Sequence, residues 1–404
     1  MAFDVHRFWG ALEAGASSSA CTPCIFMKRH GRLFHLVSRR DCETGRDNRL
    51  SRPLGGKIAL VREGAELHAF ALGLEWNVMR ATFYTQQGGA REVLQSGELP
   101  TPEPGSGEVR VRMRTSGVNP SDWKSRRGGL GRPMSAPLII PHSDGAGDID
   151  AVGAGVSGRI GERVWIWNGQ WKRAYGTAAQ YVVISGAQAV RLPDNVGYEV
   201  GACLGIPALT AIQAVRLAQI GSGKTVLIVG GAGSVAHYAI QVAKLRGARV
   251  ITTISNEIKA THARTAGADE TINYRTKDVG ERVKALTDGR GVDALIEMDL
   301  SANAKLYSAV LRPHSTVVVY GTSASETVLS GHWLMINSIT LRLFLVYELS
   351  AADRAAGINE LTELLERGRL LHTIARRLPL EAIAEAHEIV ESGEVMGNVV
   401  VDIP

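Results

Sequence analysis

Thr225-Val-Leu-Ile-Val-Gly-Gly-Ala-Gly-Ser-Val-Ala236 is an apolar run of strand length that breaks on glycines and opens into the helical pattern of residues 234–247. Its last six residues, Gly231-Ala-Gly233-Ser-Val-Ala236, fit the spacing G-x-G-x-x-G/A in the strand-to-helix context that spacing requires. One glycine permits the tight turn, Gly233 lets the backbone approach a pyrophosphate, and Ala236 lets the helix lie close on the strand. The helix start at Ser234 and Val235 then offers unpaired N–H groups to phosphate oxygens. By itself such a turn is a weak signal, and its surroundings decide the matter. A helical segment over 208–219 precedes it. After it come a strand in ARVITTIS, a helix in NEIKATHARTAG, a strand in ETINY and a helix in DVGERVKALTDG. A strand in VDALIEMDL, a helix in SANAKLYSAVLRP and a strand in STVVVYG complete the series. Repeated β-α units of this size predict a parallel, doubly wound sheet with helices on both faces, here over 205–346. Gly221-Ser-Gly-Lys224-Thr225 imitates the end of a P-loop, but the lysine precedes a strand instead of opening a helix, so the reading is a turn into the first strand.

The second strand ends Ile254-Ser255-Asn256, without the acidic residue that accepts hydrogen bonds from the ribose of NAD. Lys259 follows within the next turn. A hydroxyl and a lysine favour a 2′-phosphate, hence NADPH over NADH.

Upstream the pattern differs. Residues 79–204 show short strands punctuated by glycine and proline, among them the alternating Glu108-Val-Arg-Val-Arg-Met-Arg114, and predict an all-β, barrel-like unit. Residues 1–78 differ again: they hold three of four cysteines and five of seven phenylalanines with no sustained period, and are expected to be a dispensable extension, disordered or artefactual. Cys21 and Cys24 have the spacing of half a zinc site, with Cys42, His30 and His35 as imaginable partners, but a second close ligand pair is missing.

Composition bounds the function. The chain has 404 residues with 45% hydrophobic and 21% charged side chains, enough for a large core and two or three domains. A net charge of +5, dispersed along the chain, is no nucleic-acid footprint. Few cysteines, no run of membrane-spanning length and no recognisable export signal lead to the expectation of a cytoplasmic protein.

From Met79 to the C-terminus the chain resembles the zeta-crystallin-like NADPH:quinone oxidoreductases, the zinc-independent branch of the medium-chain dehydrogenase/reductase superfamily. The resemblance rests on Gly117-Val-Asn-Pro-Ser-Asp122, Ile140-Pro-His-Ser-Asp-Gly-Ala-Gly147, Gly161-Glu-Arg-Val164, Gly205-Ile-Pro-Ala-Leu-Thr-Ala211, the glycine turn, Ile272-Asn-Tyr-Arg275, Gly289-Arg-Gly-Val-Asp293 and Ala384-Glu-Ala-His387. It implies an α/β fold in which a GroES-like β-barrel catalytic domain, 79–204 completed by 347–404, accompanies a Rossmann domain, with the cofactor in the cleft between. It further implies Asn119 at the nicotinamide, Ser255, Lys259 and Tyr274 around the 2′-phosphate, and Gly321, Thr322, Ser323, Leu345 and Val346 flanking the nicotinamide. The chain departs from the family at Lys124, where a tyrosine is frequent, and at His142, where glycine is usual; His142 is read as a turn residue near the cleft. Zinc enzymes of the superfamily carry Cys and His where this chain has Asn119 and Ser143, so no metal is expected. Asn119 and Lys124 are the candidate catalytic side chains, and Trp123, Trp165, Trp167 and Tyr175 a candidate wall for a flat quinone or enone. The expected activity is NADPH-dependent reduction of such acceptors by a homodimer. An alkenal or enoyl double-bond reductase, or a non-catalytic NADPH-binding protein of crystallin-like or RNA-binding type, would carry the same motifs.

Overall fold

The computed structural model describes residues 77–404 and, ahead of them, the backbone of two hairpins, Phe26–Arg29 with Arg32–His35 and Lys57–Glu63 with Glu66–Leu72. The sequence reading assigns no element there. Apart from those strands, the expected extension with Cys21, Cys24 and Cys42 lies outside the described residues. The chain divides into two compact units between Glu75 and Trp76, and the second carries the two larger sheets and their helices.

Its first sheet is antiparallel in the main. A small hairpin pairs β1 (Val78–Phe83) with β2 (Gln95–Pro100). The long β3 (Glu108–Val118) buries Val109, Val111 and Met113 and turns Arg112 and Arg114 outward, as strict alternation demands. Around it lie β4 (Asp144–Val152), β5 (Arg163–Ile166), β6 (Tyr181–Ser185) and β7 (Ala189–Arg191). Two strands from the far end of the chain, β14 (Ile374–Pro379) and β15 (Asn398–Asp402), close the sheet, β15 pairing antiparallel with β3 from Val399↔Val118 to Asp402↔Thr115. The order is β7-β5-β4-β3-β15-β14, with β6 also on β3. Helix α1 (Pro120–Arg126) follows β3 directly, with proline in its first turn, where the missing N–H costs nothing.

The second sheet is six-stranded and wholly parallel: β8 (Thr225–Ile228), β9 (Arg249–Ile254), β10 (Glu270–Asn273), β11 (Val292–Glu297), β12 (Leu311–Val319) and β13 (Thr340–Leu343). The order β10-β9-β8-β11-β12-β13 places β8 at the point where the strand order reverses, and ligands of open α/β sheets bind at that point, beyond the carboxyl ends of the strands. Helices α2 (Leu209–Leu217), α3 (Ser234–Leu245), α4 (Glu257–Thr265) and α5 (Val279–Leu286) match the predicted segments. The helix expected over SANAKLYSAVLRP instead runs as two short α-helical turns, Leu300–Asn303 and Tyr307–Val310, joined by a 3-10 turn. Asn303 is drawn onto the Glu297 carboxylate at 2.9 Å, and β12 already begins at Leu311.

Helix α6 (Ala351–Glu366) lies with the parallel sheet: Leu361 and Leu365 share a core with Leu209, Ile212 and Val226. The chain thus returns to the antiparallel sheet only at β14, after which α7 (Ile383–Glu391) packs against α1. The architecture is an α/β fold of a GroES-like antiparallel unit and a Rossmann-type parallel sheet. Among the described residues no helix is long and apolar enough to cross a membrane.

Candidate active site

The glycine turn is built by three glycines with separate duties. Gly230 adopts φ +73°, and a Cβ there would lie 2.4 Å from Met298 Sδ. A Cβ on Gly231 would fall 2.3 Å from Thr252 Oγ1, so this glycine lets β9 approach. At Gly233 only the Gly230 carbonyl comes within range, at 3.4 Å: the space beside it is open. Gly233 caps α3 without a side chain, and the first-turn N–H groups at Ser234 and Val235 have no intrahelical acceptor. Open space over bare N–H groups at a helix start fits a diphosphate. The motif spacing centres on Gly231 and Gly233 and does not single out Gly230, whose left-handed backbone only the structure reveals.

The other cofactor candidates gather at the same end of the sheet. Ser255 is buried just past β9, and Tyr274, half exposed just past β10, donates its N–H to Ile254 O at 3.1 Å, so parallel pairing brings the two side by side. Asn256 caps α4 by accepting the Lys259 N–H at 2.9 Å, and the Lys259 ammonium lies 3.4 Å from Gly393 O. Beyond β12, Ser323 donates both its N–H and its hydroxyl to Asp299 Oδ1 at 3.0 Å, fixing the loop that starts at Gly321 and Thr322. Leu345 and the buried Val346 follow β13.

Opposite stands the start of α1. Asn119 is its N-cap residue and is buried; its amide Nδ2 donates to Asp144 Oδ2 at 3.0 Å, and the same oxygen accepts Ile206 N–H at 3.0 Å. The Asn119 N–H donates to Asp122 Oδ2 at 2.7 Å. Burial raises Asp122 to about 7, with that N–H bond opposing the rise. Asp144 is held well above the usual carboxylate range by burial first and by the neighbouring Asp122 second. Lys124 is half-buried, its Nζ 5.8 Å from the centre of the Trp123 ring.

Tyr347, which the sequence did not mark, joins the two sides. Its hydroxyl donates to Ser121 Oγ at 2.8 Å, and its ring stacks on Trp171 at 4.3 Å between centroids. Its carbonyl accepts Asn168 Nδ2 at 2.8 Å and Arg354 Nη2 at 3.2 Å. Its contacts with Ser121, Asn168 and Trp171 span more than 170 residues of chain, and no local pattern announces them.

Of the four residues of the predicted aromatic wall, Trp123, Trp167 and Tyr175 are half-buried. Trp165 is wholly enclosed in the core, where it contacts no open surface. Trp167 lies beneath Arg354, whose guanidinium carbon is 3.9 Å from the ring centre. Tyr175 packs against the antiparallel core, and Trp123 alone of the four sits on α1. A cavity of about 190 Å³ near α1 is lined by Tyr84, Ser125, Arg132, Met134 and Trp171 instead. His142, read as a turn residue near the cleft, lies outside the strands and helices, fully buried at φ +76°, the backbone region where glycine is at home, with Nε2 2.9 Å from Nε2 of His387.

Comparison with known proteins agrees with this fold. Residues 105–194 match the alcohol dehydrogenase GroES-like domain, and residues 234–366 the zinc-binding dehydrogenase family. The human quinone oxidoreductase is 30% identical over 329 residues, 78% of this chain and 95% of the relative. That of Pseudomonas aeruginosa is 31% identical over 320 residues, 77% of this chain and 96% of the relative. A mycobacterial protein solved in complex with NADPH superposes with a TM-score of 0.71 at 28% identity, covering 80% of this chain and 99% of its own. The chain belongs to the quinone oxidoreductase family of the medium-chain dehydrogenase/reductase superfamily.

Proposed function

We propose that this protein reduces quinones, or other activated carbonyl and enone acceptors, by hydride transfer from NADPH in the cytoplasm, without a metal and as a homodimer. The observation that carries the reading is the 2.8 Å bond from Tyr347 to Ser121. It joins the residue after Leu345 and Val346 to the second residue after Asn119, which supports a single nicotinamide site flanked by both candidate groups. NADPH supplies the hydride; the protein's part is orientation, exclusion of water and hydrogen bonds to charge developing on the acceptor oxygen. Ser234 and Val235 N–H would hold the diphosphate, Ser255, Lys259 and Tyr274 the 2′-phosphate, and Gly321, Thr322 and Ser323 the nicotinamide edge. Asn119 and Lys124 would donate to the acceptor oxygen. Asn119 and Ser143 offer an amide and a hydroxyl where a zinc site needs thiolate or imidazole, which supports the metal-free reading. An acceptor already easy to reduce is then required.

Absorbance at 340 nm tests this with phenanthrenequinone, an enone and an enal. Steady NADPH oxidation with the quinone is expected. Turnover confined to enals or enoyl thioesters would move the assignment to double-bond reduction. Tight NADPH binding with no turnover on any acceptor would make this a binding protein and end the proposal.

A further inference from the structure

The structure holds a buried circuit of hydrogen bonds that the proposed chemistry does not use directly. Arg126 Nε lies 3.4 Å from His387 Nδ1, His387 Nε2 2.9 Å from His142 Nε2, and His142 Nδ1 2.8 Å from Ser116 Oγ. Ser116 Oγ is 2.7 Å from Thr177 Oγ1, and the Thr177 hydroxyl donates to the Asp144 carbonyl. Asp144 in turn holds Asn119 at 3.0 Å. Arg126, His387, His142, Ser116, Asp144 and Asn119 are all buried. Because Asn119 caps α1 and Arg126 is its last residue, the path leaves the helix at one end and returns to it at the other.

The direction of every bond follows from one fixed end. A guanidinium only donates, so Nδ1 of His387 must be bare and its proton must sit on Nε2. That proton points at Nε2 of His142, which must therefore be bare, with its own proton on Nδ1. Ser116 accepts that proton, donates to Thr177, and Thr177 donates to the Asp144 carbonyl. An extra proton on either ring would set two N–H groups head to head, so the geometry admits only the neutral pair in opposite tautomers. Burial works the same way, holding His142 down at about 3. The far end is anchored by the Arg126–Glu391 ion pair at 2.8 Å, which ties α1 to α7.

We infer that His142 and His387 are positioning residues: a one-way chain through this pair holds both ends of α1 and thereby sets Asn119 and Lys124 against the cofactor. The inference rests on the proposed reductase reading for its kinetic part and on geometry alone for its structural part. His142 occupies a left-handed backbone position that disfavours a side chain, and the circuit is what it supplies in return.

Two measurements test it on the full-length protein. In ¹⁵N-histidine-labelled protein at pH 7, long-range proton–nitrogen spectra should show His142 protonated on Nδ1 and His387 on Nε2, each assigned by its Gln substitution. Both rings in one tautomer, or either ring charged, overturns the chain. In kinetics, His387→Leu and His142→Gly should each lower kcat roughly 10- to 100-fold, since small misplacements of catalytic groups cost about that much. NADPH affinity by fluorescence should stay within about twofold, because the candidate contacts to its diphosphate and 2′-phosphate lie on the other sheet. His387→Gln, which keeps one donor and one acceptor, should recover part of the lost kcat. If His142→Gly, freed of its strained backbone, keeps full kcat, the positioning role is refuted. If the unaltered protein turns over no acceptor, the reductase reading fails while the tautomer spectra still decide the circuit.

Discussion

At the scale of single residues, the cofactor preference turns on Lys259. Its ammonium has a carbonyl, Gly393 O, as its hydrogen-bond partner at 3.4 Å, and it stands one turn past Ser255 with Tyr274 just past the neighbouring strand. A hydrogen bond to a charged group contributes about 1.5 to 3 kcal/mol net, and about 1.4 kcal/mol is a factor of ten in affinity. Lys259→Ala should therefore weaken NADPH about 10- to 100-fold by isothermal titration while leaving NADH nearly unchanged, and equal losses for both cofactors would remove the 2′-phosphate from this site. Asp122 makes a separate prediction. Its folded pKa of about 7 stands above the ordinary 3.8, so between those values the folded chain holds a proton that the unfolded chain has released. The stability this lends is fully present below pH 3.8 and is lost as pH rises through 7, at a slope of at most about 1.4 kcal/mol per pH unit. Thermal unfolding of Asp122→Asn, which can still accept the Asn119 N–H, should be flatter than wild type between pH 5 and 8. Parallel pH profiles would mean that the Asp122 carboxyl is ionised in the fold.

At the scale of elements, the glycine turn separates packing from binding. Gly231→Ala drives a methyl into Thr252, whose hydroxyl already donates to Ile228 O at 2.6 Å, so α3 or β9 must shift. Overpacking of this kind costs about 1 to 3 kcal/mol and should lower the melting temperature. Gly233→Ala meets no crowding and should melt like wild type, yet bind NADPH at least tenfold more weakly because the methyl stands where the diphosphate must come close. A Gly233→Ala protein with normal NADPH affinity would place the diphosphate elsewhere. This turn was legible because the apolar strand, the glycines and the helix pattern are contiguous in the chain. The alternation in β3 was legible for the same reason. The Tyr347 clamp and the His142–His387 pair were not, since the latter joins residues 245 positions apart and neither partner shows a local period. In the aromatic cluster from Trp165 to Tyr175, composition alone cannot tell a ring enclosed in the core, such as Trp165, from one beside a cavity, such as Trp171.

At the scale of the whole molecule, the two sheets differ in how their borders are finished. The antiparallel sheet is closed by strands from the far end of the chain, a partnership that no reading of neighbouring residues foretells, whereas the family resemblance implied it. The parallel sheet ends in β13, which pairs with β12 alone among the described strands and leaves its other edge unpaired. An exposed edge strand is a template for another copy of itself. Apolar side chains crowd the same end of the sheet: Leu343 on β13 is 61% exposed, and Met335 and Ile336, just before it, are 70% and 62% exposed. A specific dimer buries about 800 Å² per partner, and pairing β13 with its twin across a twofold axis would cover this patch and satisfy the edge together. Light scattering behind size-exclusion chromatography should therefore give a mass near twice the 43.3 kDa chain. Leu343→Lys should halve that mass, because two ammonium groups would face each other across the axis without water. Its kcat should stay close to wild type, since every candidate site residue comes from one chain. A wild-type protein that runs as a monomer at tens of micromolar, or a Leu343→Lys protein that stays dimeric, would show that β13 is not the dimer contact.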